Sequence, residues 1–204
     1  RLLKHEAATM TSADFLTISP TLSPIVTPIV PMIVNATGRI EPIYVFGTGE
    51  NEIYKGDFLA QRDADKIRSQ DNIMLEGTLL KHVTKTDDVV FFCTTKYIYG
   101  INVVAGGMLR TICKVDLNGK TISGPPAIHN GNLYVGTVDG MVMAYNLREN
   151  GAIRWQIEIR NREPLLGAPA VFQNLVYFPT ERAWLYAYRT ADLTSRRHKR
   201  LLFQ

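Results

Sequence analysis

Residues 131–155, GNLYVGTVDGMVMAYNLRENGAIRW, hold three short apolar runs separated by turn signals. Asn130-Gly131 supplies the two residues tolerant of positive φ that a type I′ hairpin needs, so Asn132–Gly136 reads as a strand leaving a tight turn. Asp139-Gly140 marks the next turn and Met141–Asn146 the next strand. Asn150-Gly151 then turns into Ala152–Ile159, which carries Trp155. Ahead of all these, Gly124–Ile128 reads as a strand of small residues against which a neighbouring backbone can crowd. That gives four antiparallel strands in one stretch of chain.

The stretch recurs. TISGPPAIHNGNLYVGTVDGMVMAYN (121–146) lies over PLLGAPAVFQNLVYFPTERAWLYAYR (164–189) without a gap, 43 residues on. Gly124 meets Gly167, Pro126 meets Pro169, Ala127 meets Ala170, Tyr134 meets Tyr177 and Ala144 meets Ala187. LLKHVTKTDDVVFFCTTKYIYGINVVAGG (79–107) gives a third copy at an offset of 44, with Val90 for Tyr134, Gly100 for Ala144 and Gly107 for Gly151. At that offset Thr111 stands for Trp155, and in the last copy His198 does. A period in the forties built from short β segments is the signature of radially repeated sheets.

The expected fold is therefore an all-β propeller of four-stranded antiparallel blades, with about four repeats in an incomplete or short ring. Its divisions are an N-terminal arm (1–22), an irregular blade with an insertion (23–72), two blades (73–116 and 117–160) and a partial blade with a basic tail (161–204). In the irregular blade, YVFGTGENEIY (44–54) echoes the strand-turn-strand pattern, VNATGRIEP (34–42) reads as an insertion and LAQRDADKIRSQDN (59–72) as a polar helical or disordered excursion. Pro24, Pro28 and Pro31 break TLSPIVTPIVPMIV (21–34) and suit extended edges or a surface arm rather than a helix. The first residue is Arg1, which suits a processed product or a fragment.

Composition narrows the function classes. A hydrophobic share of 46% beside 21% charged residues excludes wholesale disorder in the 204-residue chain. No run approaches the roughly 20 apolar residues of a membrane-spanning helix. Arg196, Arg197, Lys199 and Arg200 account for the whole basic excess, since without them basic residues equal the 19 acidic ones. The body thus lacks the basic field of a nucleic-acid binder, while that cluster reads as a solvated tail or as a dock for an acidic surface.

Pro126-Ala127, Val135-Gly136-Thr137, Asp139-Gly140, Ala144, Gly151 and Trp155 resemble the repeats of quinoprotein-type (pyrroloquinoline-quinone-like) β-propellers. Pro169, Ala170 and Ala187 carry the pattern into the next copy. The resemblance implies that the repeated Ala and the Trp dock blade on blade. It departs at Asn146, where the family usually has Asp. Dehydrogenases of that family hold a quinone with calcium, an aspartate base and, in many members, adjacent cysteines. Here the aspartates fall mainly at turns (Asp87, Asp88, Asp139) or in the polar excursion (Asp63, Asp65, Asp71), and Cys93 and Cys113 are far apart in sequence. The resemblance to the BamB-type outer-membrane assembly lipoproteins implies a non-catalytic scaffold holding other protein subunits, outside the cytoplasm, with no cofactor, metal or catalytic residue. The alternatives are a fragment of a quinone-dependent dehydrogenase and a small-ligand-binding or sensor propeller.

The remaining motifs are weak. Gly119-Lys120-Thr121 has Lys114 where a phosphate-binding loop needs glycine, and Gly47-Thr48-Gly49 lacks the third glycine of a dinucleotide fingerprint. His5, His82, His129 and His198 fall in different repeats or termini. Asn35-Ala36-Thr37 matches a glycosylation acceptor, a pattern common by chance. Trp184, Tyr186 and Tyr188 alternate along one strand and share a face, as core packing or as a ligand platform. Cys93 and Cys113 fall in the second and fourth strands of one blade, about 9–10 Å apart, whereas a disulfide needs Cα atoms within about 7 Å. Both thiols should be free: after alkylation and a non-reducing digest, mass spectrometry should find each in a separate modified peptide.

Overall fold

Each repeat folds as a four-stranded antiparallel sheet in the computed structural model, which describes residues 23–36, 39–57, 67–86, 88–103, 108–190 and 196–199. The first sheet is β1 (Val30–Ala36), β2 (Arg39–Gly47), β3 (Glu52–Asp57) and β4 (Ile67–Met74). The second is β5 (Leu79–Lys85), β6 (Val89–Thr94), β7 (Tyr97–Val103) and β8 (Leu109–Asp116). The third is β9 (Ala127–His129), β10 (Asn132–Gly136), β11 (Met141–Asn146) and β12 (Ala152–Glu158). The fourth is β13 (Ala170–Phe172), β14 (Leu175–Pro179), β15 (Leu185–Arg189) and β16 (Arg196–Lys199). Every sheet is a meander in chain order, which makes each one a propeller blade.

The turns behave as their residues dictate. Asn130 and Gly131 take φ of 49° and 73°, and Asn150 and Gly151 take 53° and 78°, all in the left-handed region. Asn150-Gly151 follows a short 3-10 turn at Leu147–Glu149, whose first N–H groups are capped by the Asn146 side chain bonding Arg148 N. Asn146, standing in place of the family's Asp, thus keeps a capping role.

Several expectations are corrected. The small-residue strand is Ala127–His129, not Gly124–Ile128, because Pro125 and Pro126 have no N–H to give a ladder. Ahead of them, Ile122 makes one isolated bridge to Thr137. The extra length of the first blade takes the form of strand. VNATGRIEP lies largely within β1 and β2, which pair from Val30↔Val45 to Ala36↔Arg39 as one long hairpin. Pro42 is tolerated there because β3 pairs only with Ile43–Gly47, so no ladder partner beyond β1 needs its missing N–H. Residues 67–72 of the polar excursion are β4, opposite β3. The basic cluster is not a free tail: Arg196, Arg197 and Lys199 lie in β16, which pairs with β15 as Tyr188↔Arg196 through Leu185↔Lys199. Residues 1–22, Asp63, Asp65, Asp87, Gly106, Gly107 and Arg200 lie outside the described residues.

Pairing also corrects the upstream register. Tyr134 faces Ala144 in the third blade, and Phe91, not Val90, faces Gly100 in the second. Trp155 pairs with Ala144, Cys113 with Gly100 and Arg197 with Ala187, so Cys113 and Arg197, not Thr111 and His198, stand where Trp155 stands.

The core is stored between blades. One cluster joins the first and second through Val45, Ile53, Phe92 and Tyr99. Another joins the second and third through Cys93, Val115, Leu133 and Tyr145. The last joins the third and fourth through Tyr134, Ala144, Trp155, Phe178 and Tyr188. Both faces of a middle blade are therefore buried, and β10 is buried at all five residues. The inner strands lie side by side: Lys85 Nζ donates to Pro31 O at 2.7 Å, Thr84 Oγ1 to Pro126 O at 2.6 Å and Ser123 Oγ to Gly167 O at 3.4 Å. At that inner edge a Cβ on Gly124 would lie 2.3 Å from the carbonyl carbon of Gly167, so backbone blocks backbone. Gly124→Val should therefore destabilise the fold by about 1–3 kcal/mol, whereas Leu166→Ala, at an exposed side chain, should stay within about 0.5 kcal/mol. Urea unfolding of both variants checks this.

Candidate interaction site

The turns between second and third strands share one rim of the molecule with the segments that link blade to blade. A threonine ends each second strand or follows it directly: Thr48, Thr94, Thr137 and Thr180, at most 3% exposed. Thr137 Oγ1 accepts from Met141 N at 2.9 Å, Thr94 Oγ1 from Tyr97 N at 2.9 Å and Thr180 Oγ1 from Trp184 N at 3.2 Å. Each hydroxyl thereby closes its own turn. The linkers are pinned on both sides. Leu75, Leu117 and Ile159 donate to the preceding turn at Asn51 O, Lys96 O and Gly140 O. Thr95, Val138 and Glu181 donate back from the following turn to Thr78 O, Thr121 O and Pro164 O.

Charge pairs tie the rim at the first two junctions, at different positions in each. At the first junction Lys114 donates to the Glu76 carboxylate and stands 3.9 Å over the Tyr97 ring. The bond to Glu76 raises the Lys114 pKa. At the second, Lys120 pairs with Asp139 at 2.6 Å. The hydrogen bond from Lys120, and then that from the Thr137 hydroxyl, hold the Asp139 carboxyl below its usual range. At the third junction the signs are exchanged: the register places Glu163 over Lys120 and Arg182 over Asp139. There the Glu163 carboxylate, 7% exposed, accepts the Arg182 backbone N–H at 2.9 Å. The charge pair becomes a carboxylate capping a turn.

That exchange opens a cleft of about 190 Å³ lined by Arg160, Asn161, Glu163, Arg182, Trp184 and Tyr186. Tyr186 and Tyr188 point into the core against the third blade, with Trp184 packed beside them, so core packing accounts for most of that aromatic row. Its Trp184 end also reaches the cleft. Burial first, and then the Glu163 charge, push the Tyr186 hydroxyl pKa up, while Arg160 opposes them.

The repeat residues take structural places. Pro126 is buried and its carbonyl accepts Thr84. Ala127 pairs with Tyr134, and Pro169 is buried, whereas Ala170 is exposed. A Cβ on Gly136 would meet Leu165 Cδ1 at 2.7 Å, on Gly140 the Arg162 carbonyl carbon at 2.5 Å and on Gly151 Val115 Cγ2 at 2.6 Å. Ala144 is fully buried and Ala187 is 8% exposed. Trp155 lies between Tyr134 and Tyr188 at centroid distances of 6.0 and 6.1 Å, and its indole N–H has no hydrogen-bond partner among the described residues. Cys93 and Cys113 are buried, free thiols, pushed above the ordinary thiol range by burial. Among the described residues no three His, Cys, Asp or Glu side chains gather as metal ligands. Arg160, Glu163 and Arg182 were not singled out from sequence, although the charge exchange was visible in the 43-residue register.

These blades define the class: the chain has the β-propeller fold. It is similar to BamB from Moraxella catarrhalis at 18% identity and a TM-score of 0.58, over 86% of this chain and 49% of that one. The computationally designed Ika4 protein matches at 11% identity and a TM-score of 0.60, over 85% of this chain and 95% of that one. The Chaetomium thermophilum Sqt1, solved bound to the N-terminus of the ribosomal protein L10, matches at 12% identity and a TM-score of 0.56, over 76% of this chain and 45% of that one. The chain thus spans about half of BamB and Sqt1 and nearly all of Ika4. No family model matches the sequence, and no curated protein does.

The Asp139 carboxyl, held low, stabilises the folded state above the unfolded-state range near pH 4 and loses that contribution as pH falls through its folded value. Asp139→Asn should flatten this part of the acid limb of a stability-versus-pH curve. With the side chain 46% exposed, solvent screening keeps the effect below about 1 kcal/mol.

Proposed function

We propose that this chain is a non-catalytic propeller that holds other protein chains within a larger assembly. The observation that carries the reading is the likeness of its blades to propellers such as BamB and Sqt1, the latter solved with a segment of another protein bound. The rim supports it physically. Linkers and turns are pinned by paired backbone bonds, so the surface that a partner meets is rigid before contact, and little ordering entropy is lost on binding. Its charged side chains also sit among aromatic ones, as Lys114 does over Tyr97 and Arg182 beside Trp184. Arginine and aromatic residues are the types that dominate the energetics of protein interfaces.

No helix among the described residues is long and apolar enough to cross a membrane. The scaffold reading places the protein beside its partners through this rim and through the outermost strands of its sheets. β16 brings Arg196, Arg197 and Lys199 to such an edge, where basic residues discourage indiscriminate strand pairing and favour an acidic partner. Purification of the native protein by a tag at its own locus should bring down one or more proteins in near-equal amounts. A protein that elutes alone, in gentle buffer and at low salt, would sink the scaffold reading.

A further inference from the structure

We propose that the cleft between the third and fourth blades is a docking subsite for an acidic side chain of a partner peptide, one flanked by an apolar or aromatic residue. The inference rests on the scaffold reading and adds to it the chemistry of the partner. One lysine at each of the two earlier junctions is paired within the chain: Lys114, on β8, with Glu76, and Lys120, in a linker, with Asp139. At the third junction, Arg160 takes the place that follows the linker's buried anchor, where Glu76 stands at the first, and Arg182 takes the place of Asp139. The nearby Arg162 is paired with Glu158 at 2.9 Å, but among the described residues neither Arg160 nor Arg182 makes an ion pair. Both are exposed.

The one acid of the cleft does not offset them in kind. Glu163 is buried and its Oε1 is engaged with the Arg182 backbone, so it fixes the turn that carries Arg182. The two guanidinium groups then present ten N–H donors' worth of planar, permanently charged surface, roughly twice the five of a single arginine, a geometry suited to a carboxylate. Trp184 and Tyr186 supply the apolar wall. A volume of about 190 Å³ falls below the roughly 300–1,000 Å³ of drug-sized ligand sites and suits one side chain of a longer segment. The backbone marks the same place. Ala183 holds φ at 60°, where Gly140 holds 78° in the blade before. Gly140 is packed on the Arg162 backbone, so glycine is required there; Ala183 is exposed and keeps the strained conformation with a side chain attached.

The test is calorimetric titration of the full chain with three probes: an acetylated Asp-Glu-Asp-Phe peptide amide, its Lys-Arg-Lys-Phe counterpart and a short oligothymidylate. The acidic peptide should bind and the basic one should not. An Arg160→Glu, Arg182→Glu double variant should weaken the acidic peptide by at least about tenfold. Trp184→Ala should weaken it as well, whereas Lys114→Glu, at a different junction, should leave it unchanged. Circular dichroism confirms that the reversed variant keeps its sheets. The proposal is overturned if the basic peptide or the oligothymidylate binds in place of the acidic one, or if the double reversal leaves affinity intact. Native partners that still co-purify undiminished with the reversed variant would defeat this subsite and leave the scaffold reading standing; their selective loss would support both.

Discussion

The buried threonine beside the end of each second strand is the constraint on which the rest of the structure depends. Its backbone bridges the inner strand or the segment leading into it, as Ile25↔Thr48, Leu79↔Thr94, Ile122↔Thr137 and Leu165↔Thr180, while its hydroxyl closes the turn to the third strand. One residue therefore fixes the inner edge of a blade and the rim above it. A buried hydroxyl without partners would cost about 1–3 kcal/mol, and here Thr94, Thr137 and Thr180 each both donate and accept across their own turns. With the turn fixed, the next linker can bond to it, and with the linker fixed the next blade arrives at a set spacing. Period, rim and inter-blade core all follow from that one position.

Packing between sheets explains why the repeat tolerates so much variation in identity. Each junction needs apolar volume on two facing surfaces, not a particular residue, so Tyr145 and Met143 serve at one junction where Tyr188 and Tyr186 serve at the next. The third-strand position that faces the outer strand must be small: Gly100, Ala144 and Ala187 hold it, and at Gly100 a Cβ would lie 2.6 Å from Cys113 Sγ. Opposite those small residues stand Cys113 and Trp155, which differ greatly in bulk. A docking tryptophan is thus one way to fill the position, and a buried thiol is another. Trp155 fills more space and leaves an indole N–H unpaired, a cost that its contacts with Tyr134 and Tyr188 offset.

Local rules were legible in the sequence wherever one or two residues decide a conformation. Asn130-Gly131 needs positive φ at both positions and has it. Gly124 and Gly167 recur in register for two different reasons: the Gly167 backbone blocks a Cβ at Gly124, and Gly167 itself takes a φ of 66°. What misled was the assumption that one offset could run through a whole copy. The β6–β7 turn runs from Thr94 to Tyr97, one residue shorter than Thr137 to Met141, so the second copy is offset by 43 before the turn and by 44 after it. The next connection is longer in the second blade, which moves the Trp155 counterpart to Cys113. The first blade failed for a related reason: a hairpin can lengthen at its outer end without disturbing the rim, so VNATGRIEP looks like an insertion while remaining strand. The polar 67–72 segment is an outermost strand, paired on one side alone, where apolar alternation is not required.

The rim was the least legible part because its meaning lies in a comparison between repeats rather than in any motif. Glu163 and Arg182 are ordinary charged residues until they are set over Lys120 and Asp139. A simple exchange of signs would leave an ion pair at that junction. Geometry prevents it. Asp139 is short and stays near its own turn, bonded by the Thr137 hydroxyl, within reach of a long lysine. Glu163, longer than Asp139 and set on the linker, reaches the backbone of the opposite turn, so the arginine side chain is left outside. The repeat thus conserves the tie between linker and turn while changing what carries it, from side chain with side chain to side chain with backbone. The cation released by that change joins Arg160, Trp184 and Tyr186 in one cleft.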